Sequence, residues 1–189
     1  MKYNIGIDLD GVVCNLYHGA FKVLKDMYPK QVKTDVFNCN WEKQYGLTEK
    51  QVRNCFIRCA QDGLLNTAPI YEGAKRALYK IRYKYNIQIV TWRNYMPNAK
   101  EDTLYWLDSN KIPYDKLVMS KTKFDVAVKE NFCFFLDDSP SICNRMAKTV
   151  VPTFIFRRPW NQEEPLDALV KVIRSWNEVP RLLLPYRQR

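Results

Sequence analysis

Tyr3-Asn4-Ile5-Gly6-Ile7-Asp8-Leu9-Asp10-Gly11-Val12-Val13 reads as a buried strand that runs directly into two acids and a glycine. The run Tyr3 to Leu9 is short, apolar and rich in β-branched and aromatic residues, as a strand covered on both faces requires. Working outward, Ile87 to Thr91, Leu117 to Met119, Phe132 to Leu136 and Thr153 to Phe156 have the same character, so five strands are predicted. Helical spacing falls between them: Ala74, Ala77, Leu78, Ile81 and Tyr85 share one face, and Leu166, Leu169, Val170 and Ile173 share another. Strand alternating with helix predicts an α/β fold, a Rossmann-like parallel sheet with helices on both faces, because parallel strands need a crossover connection.

One crossover is long. Residues 16–69 carry two helical stretches, near Phe21 to Tyr28 and Thr48 to Ala60, with the aromatics Tyr17, Phe21, Phe37, Trp41, Tyr45 and Phe56. This reads as a small helical cap inserted after the first strand, leaving 1–15 and 70–189 as the core domain; the alternative is that these aromatics simply extend the core. The tail from Pro180 to Arg189 mixes leucines with arginines and carries no clear signal.

Composition narrows the chemistry. At 189 residues the chain is about one domain, 47% apolar and 26% charged, which excludes disorder. No apolar run approaches the ~20 residues of a membrane span, and Asp8 and Asp10 break the first apolar stretch, so a cytoplasmic protein with no membrane partner is expected. The six cysteines form no CxxC pair and are expected to be reduced. The single histidine, His18, removes HExxH and two-histidine mechanisms and is expected on the first cap helix as an ordinary surface residue. Gly6 and Gly11 have P-loop spacing, but Val12 stands where lysine is required. Cys55 and Cys59 share a helical face, where packing is the expectation. A net charge of +10 favours an anionic ligand: a phosphate ester, a nucleotide or a nucleic acid.

In doubly wound sheets ligands bind beyond the carboxyl ends of the strands. Those ends carry Asp8-Leu9-Asp10-Gly11, Thr91-Trp92-Arg93 and Asp137-Asp138-Ser139, so four carboxylates are predicted to converge. Such a cluster repels itself unless a cation is present, and hard carboxylate oxygens select Mg²⁺. The predicted ligands are Asp8, Asp10, Asp137 and Asp138.

Asp8-Leu9-Asp10-Gly11-Val12-Val13, the strand-ending Thr91, a downstream lysine and Leu136-Asp137-Asp138 together resemble the four ordered motifs of haloacid dehalogenase (HAD) superfamily phosphatases, over Met1 to about Asn161. The resemblance implies the HAD fold, with Asp8 as the nucleophile that forms an aspartyl phosphate and Asp10 as general acid and base. It implies that the Thr91 hydroxyl and the Trp92 amide hold phosphoryl oxygens, and that Lys123, rather than Lys121, offsets their charge. Mg²⁺ is then held by Asp8, the Asp10 carbonyl and Asp137, with Asp138 acting directly or through water. Arg93 is expected either to reach the phosphate or to brace Asp137.

Asn40 to Thr48, Pro69 to Ala74 and Arg158-Pro159-Trp160-Asn161 are similar to the 5′(3′)-deoxyribonucleotidase group of that superfamily. That implies a small-molecule nucleotide substrate, with Trp41 as base or sugar wall. Leu16 occupies a place where the group has an aromatic, so base preference is open. Two rival readings stay in view: a phosphatase on nucleic-acid ends, motivated by Lys75, Arg76, Lys80, Arg82 and Lys84, and a non-catalytic nucleic-acid-binding protein on the same fold.

Overall fold

A Cβ on Gly6 would lie 2.3 Å from the Phe132 ring, so glycine at this position is what lets the first strand run beneath two phenylalanines, Phe132 and Phe135. The computed structural model describes residues 2–33, 41–93, 98–149 and 151–185. Its strands are β1 (Tyr3–Ile7), β2 (Tyr85–Thr91), β3 (Lys116–Met119), β4 (Phe134–Asp137), β5 (Thr153–Phe156) and β6 (Lys171–Ile173). They form one parallel sheet in the order β3-β2-β1-β4-β5-β6. The connections leave β1 toward one edge and then return to β4 on its other side, so the switch point lies between β1 and β4. The crevice there is where such a sheet takes its ligand.

The helices are α1 (Leu16–Met27), α2 (Trp41–Tyr45), α3 (Glu49–Gln61), α4 (Leu64–Thr67), α5 (Ala74–Ile81), α6 (Ala99–Ser109), α7 (Lys123–Lys129), α8 (Pro140–Ala147) and α9 (Val179–Leu183). Local chemistry starts and stops them. At α3 the Thr48 side chain accepts the Gln51 amide at 3.2 Å while the Gln51 side chain accepts the Thr48 amide at 2.9 Å, a reciprocal cap. Along α5 the predicted face Ala74, Ala77, Leu78 and Ile81 is buried, whereas Tyr85 belongs to β2 and donates its hydroxyl to the Leu183 carbonyl at 2.6 Å.

Helices α1 to α4 all lie between β1 and β2. Phe21 meets Tyr45 at 6.1 Å, and Trp41 stacks on Phe56 at 5.2 Å with the rings 12° apart. One apolar cluster contains both these residues and Ile5, Ile7 and Leu136 of the sheet, so the inserted helices share the main core. Phe37 and Cys39 lie outside the described residues.

One expectation changes. The segment predicted as a helix through Leu166, Leu169, Val170 and Ile173 is a loop followed by β6, with Leu169 exposed and Ile173 buried. Its helical spacing is coincidental, and edge pairing of Phe154 to Phe156 with Lys171 to Ile173 settles it. At the start of the tail, α9 buries Val179 and Leu183 against the core. The five described cysteines are free and buried, and Cys55 Sγ donates to the Ala20 carbonyl. Among the described residues no helix is long and apolar enough to cross a membrane.

Candidate active site

The chain leaves β1 at Ile7, and the Asp8 amide donates to the Leu136 carbonyl at 2.9 Å, so Asp8 is in register beside Asp137 at the end of β4. The turn that follows is tight: the amides of Val12, Val13 and Cys14 all donate to the Leu9 carbonyl. Gly11 makes the turn possible with φ of +80°, and a Cβ there would sit 2.2 Å from Asp138 Oδ2. The glycine of the first motif therefore serves both the turn and the approach of Asp138.

Asp8, Asp137 and Asp138 each offer a carboxylate oxygen, all within 4.8 Å of one another and all buried. Lys123 Nζ, at the start of α7, lies 2.8 Å from Asp8 Oδ1 and 2.9 Å from Asp137 Oδ2. The Ser139 amide donates to Asp137 Oδ1 at 2.9 Å. One ammonium thus faces three carboxylates. Burial raises the Asp8 carboxyl well above the ordinary range, with Lys123 opposing and Asp137 and Asp138 adding to the rise. Burial and the charge of Asp137 push Asp138 up to about 7. For Lys123, burial favours the neutral amine, but Asp137 and Asp8 outweigh it and hold the ammonium above the usual lysine range.

Asp10 stands apart from this cluster. Its carboxylate receives Arg93 in a two-pronged pair, Nε to Oδ2 at 2.7 Å and Nη2 to Oδ1. Arg93 is fully buried; Nη1 also donates to Thr103 Oγ1 at 3.1 Å, and Nη2 points at Cys14 Sγ. The expected convergence of four side-chain carboxylates is therefore a cluster of three plus a separate ion pair. The expected contact of Arg93 with phosphate or Asp137 is replaced by a brace on Asp10, because β2 and β1 are neighbours and their C-terminal ends leave the two side chains adjacent. Sequence spacing carries no signal for that choice.

A cavity of about 320 Å³ opens onto the cluster. Asp8, Asp10, Thr91, Lys123 and Asp137 line its sheet side, and Leu16, Trp41 and Phe56 line the opposite side. Thr91 is buried, while Trp92 stands on the wall with Lys121 Nζ 4.9 Å above its ring. Lys121, the other lysine of the segment, thus meets an aromatic face rather than the carboxylates. Among the described residues the Trp41 indole Nε1 is buried without a hydrogen-bond partner. His18 is exposed on α1.

Residues 158–161 carry more than their resemblance indicated. Arg158 Nε donates to the Gly11 carbonyl at 2.7 Å and its guanidinium lies 3.7 Å from the Tyr71 ring centroid. Trp160 Nε1 donates to Asp138 Oδ2 at 2.8 Å, and Asn161 Nδ2 donates to the Asp138 carbonyl at 2.7 Å. These long-range partners leave no periodic trace in the chain. The basic stretch is on α5 and the turn after it, and Arg76 and Lys80 line a separate cavity with Arg181 that shares no residue with the acidic one.

The family model of "5' nucleotidase, deoxy (Pyrimidine), cytosolic type C protein" matches residues 2–189. The chain belongs to this family. As a member of this nucleotidase family it is a phosphoric monoester hydrolase, a nucleotide phosphatase of the HAD superfamily. A "Putative 5'(3')-deoxyribonucleotidase" of Chlorobaculum tepidum is 26% identical over 184 residues, covering 93% of this chain and 87% of that one. Among solved structures, the "predicted phosphatase from Clostridium acetobutylicum" superposes with a TM-score of 0.71 at 14% identity, covering 98% and 100% of the two chains. The "putative HAD-hydrolase YfnB" of Bacillus subtilis, bound to magnesium, superposes with a TM-score of 0.62 at 12% identity, covering 97% and 99%. The nucleotidase family member thus has the HAD fold, with β6 completing the sheet.

Proposed function

We propose that this chain is a Mg²⁺-dependent phosphohydrolase of nucleoside monophosphates, in particular deoxyribonucleotides, working through an aspartyl phosphate. The observation that carries the reading is the buried meeting of Asp8, Lys123, Asp137 and Asp138 at the switch point of the sheet.

The donor set fits a hard divalent cation. Three buried carboxylates share one ammonium, so negative charge is in excess. Asp8, Asp137 and Asp138 are the residues to hold the ion, with the Asp10 carbonyl as a further donor. When bound, it would supply positive charge to the phosphoryl oxygens and neutralise the carboxylates.

The side chains then have separable tasks. An Asp8 carboxylate oxygen attacks phosphorus, the bond from phosphorus to the ester oxygen breaks, and Asp10 gives its proton to the departing alcohol. In the second half Asp10 takes a proton from water, the water oxygen attacks phosphorus, and the bond to Asp8 breaks to release phosphate. The Arg93 pair fixes the position of the Asp10 carboxylate at the edge of the cavity. The Thr91 hydroxyl and the Trp92 amide donate to phosphoryl oxygens, and Lys123 stabilises the charge that develops there.

Residues 16–69 act as the cap. Trp41 and Phe56 offer apolar planes to a base, and Leu16 leaves more room than an aromatic in that place. The separation of the α5 cations from this cavity favours a small nucleotide over a nucleic-acid end. Purified protein incubated with a panel of nucleotides and Mg²⁺ is expected to release phosphate fastest from deoxynucleoside monophosphates and to stop with EDTA. Hydrolysis confined to other phosphoesters overturns the substrate assignment.

A further inference from the structure

The carboxylates of the cluster are oriented by two kinds of partner. Asp8 and Asp137 share the Lys123 ammonium, and Asp137 has the Ser139 amide in addition. Asp138 has a neutral partner instead: one oxygen, Oδ2, accepts the Trp160 indole N–H at 2.8 Å. A neutral donor fixes direction without cancelling charge, which suits a ligand that must remain anionic for an ion.

The indole is itself held on two sides. It belongs to the 3-10 turn Pro159–Asn161, which Asn161 clamps by donating from Nδ2 to the Asp138 carbonyl at 2.7 Å and to the Phe156 carbonyl at 2.9 Å. Its ring meets the Tyr17 ring of α1 at 5.3 Å and 61°, an edge-on contact with the inserted helices. Tyr17, Trp160 and Asp138 also line a second cavity of about 340 Å³, which shares Tyr17 and Asp138 with the first. Asp138 also abuts Gly11, where a Cβ would lie 2.2 Å from the same Oδ2.

We infer that Trp160 is a positioning residue for the metal site: its indole N–H aims Asp138 at the ion, and its edge contact with Tyr17 ties that aim to the inserted helices. This rests on the Mg²⁺ reading above. Because the coupling is reciprocal, whatever shifts α1 alters ion affinity, and ion binding favours the position of α1 in which Tyr17 meets Trp160.

The test is calorimetric titration of the substrate-free protein with Mg²⁺ alone. Trp160→Phe keeps a ring against Tyr17 and removes only the donor, and its Mg²⁺ Kd is expected to rise by about 10–100-fold, the usual cost of losing an outer partner of a metal ligand. Trp160→His, which restores an N–H, is expected to recover part of that loss. Tyr17→Leu keeps the donor and is expected to weaken Mg²⁺ by a smaller factor. Thermal unfolding in EDTA reports on folding, and the variants are expected to melt near the wild-type temperature; should Trp160→Phe not fold, the His and Leu variants carry the test. A Trp160→Phe Kd within about two-fold of wild type, at the same titration precision, overturns the inference while leaving the nucleotidase reading intact. No Mg²⁺ binding by the wild-type protein overturns both.

Discussion

The sheet edge and the inserted helices face each other across one cavity, yet they hold their residues differently. On the sheet side Asp8 and Asp137 are set by strand register and tied by a shared ammonium. On the other side Trp41, Phe56 and Leu16 are set by ring stacking and apolar packing, without a charge pair among them. Backbone register is stiff and stays the same while side chains change, whereas packing tolerates exchange of one apolar shape for another. On the proposed reading the sheet edge carries the chemistry and the inserted helices carry the choice of substrate.

Substitutions on the two sides are expected to separate accordingly. Asp8→Asn has the largest expected effect, a fall in kcat on the order of 10⁴-fold or more, with the circular dichroism spectrum unchanged. An active Asp8→Asn enzyme, measured by phosphate release, breaks the assignment of chemistry to this edge. Lys123→Ala is expected to lower kcat by about 10²–10³-fold, the scale of losing one transition-state donor. It also leaves Asp8 and Asp137 buried without their counter-charge, at a cost of about 3–5 kcal/mol in denaturant unfolding. Lys121→Ala removes a cation from the Trp92 face at the cavity wall, worth about 1 kcal/mol or less at such a site, and equal losses for the two lysines contradict this division of roles.

Arg93→Met sharpens the contrast from within the sheet. Removing a fully buried guanidinium from Asp10 is expected to destabilise the fold by about 3–5 kcal/mol in urea titrations. KM for nucleotide should change little, since Arg93 is absent from the cavity wall. A large rise in KM with unchanged stability would return Arg93 to the phosphate. Trp41→Leu is expected to have the smallest effect on chemistry: KM for nucleotides rises about ten-fold, the worth of an aromatic contact, while kcat on a small aryl phosphate stays close to wild type. If instead kcat falls on both substrates and KM holds, the inserted helices take part in the chemistry.

How far the site was legible follows from where each signal resides. Asp8, Thr91 and Asp137 are each marked by a strand end, whereas Lys123 was separated from Lys121 only by resemblance to the superfamily. The strand Lys171–Ile173 was hidden because a short edge segment with leucines upstream mimics a helical stripe, and only pairing with β5 distinguishes the two.

Order and spacing along the chain were sufficient for the parallel α/β architecture, the long insertion after the first strand and the acids at the strand ends, because periodicity and turn residues act over a few positions. Partner choice was not accessible in that way. Arg93 pairs with Asp10 across 83 positions and Trp160 reaches Asp138 across 22, and both contacts exist only because the strand order brings those ends side by side. A buried charge or donor takes whichever partner the completed packing leaves within about 3 Å, and that selection is made when the sheet closes around β1.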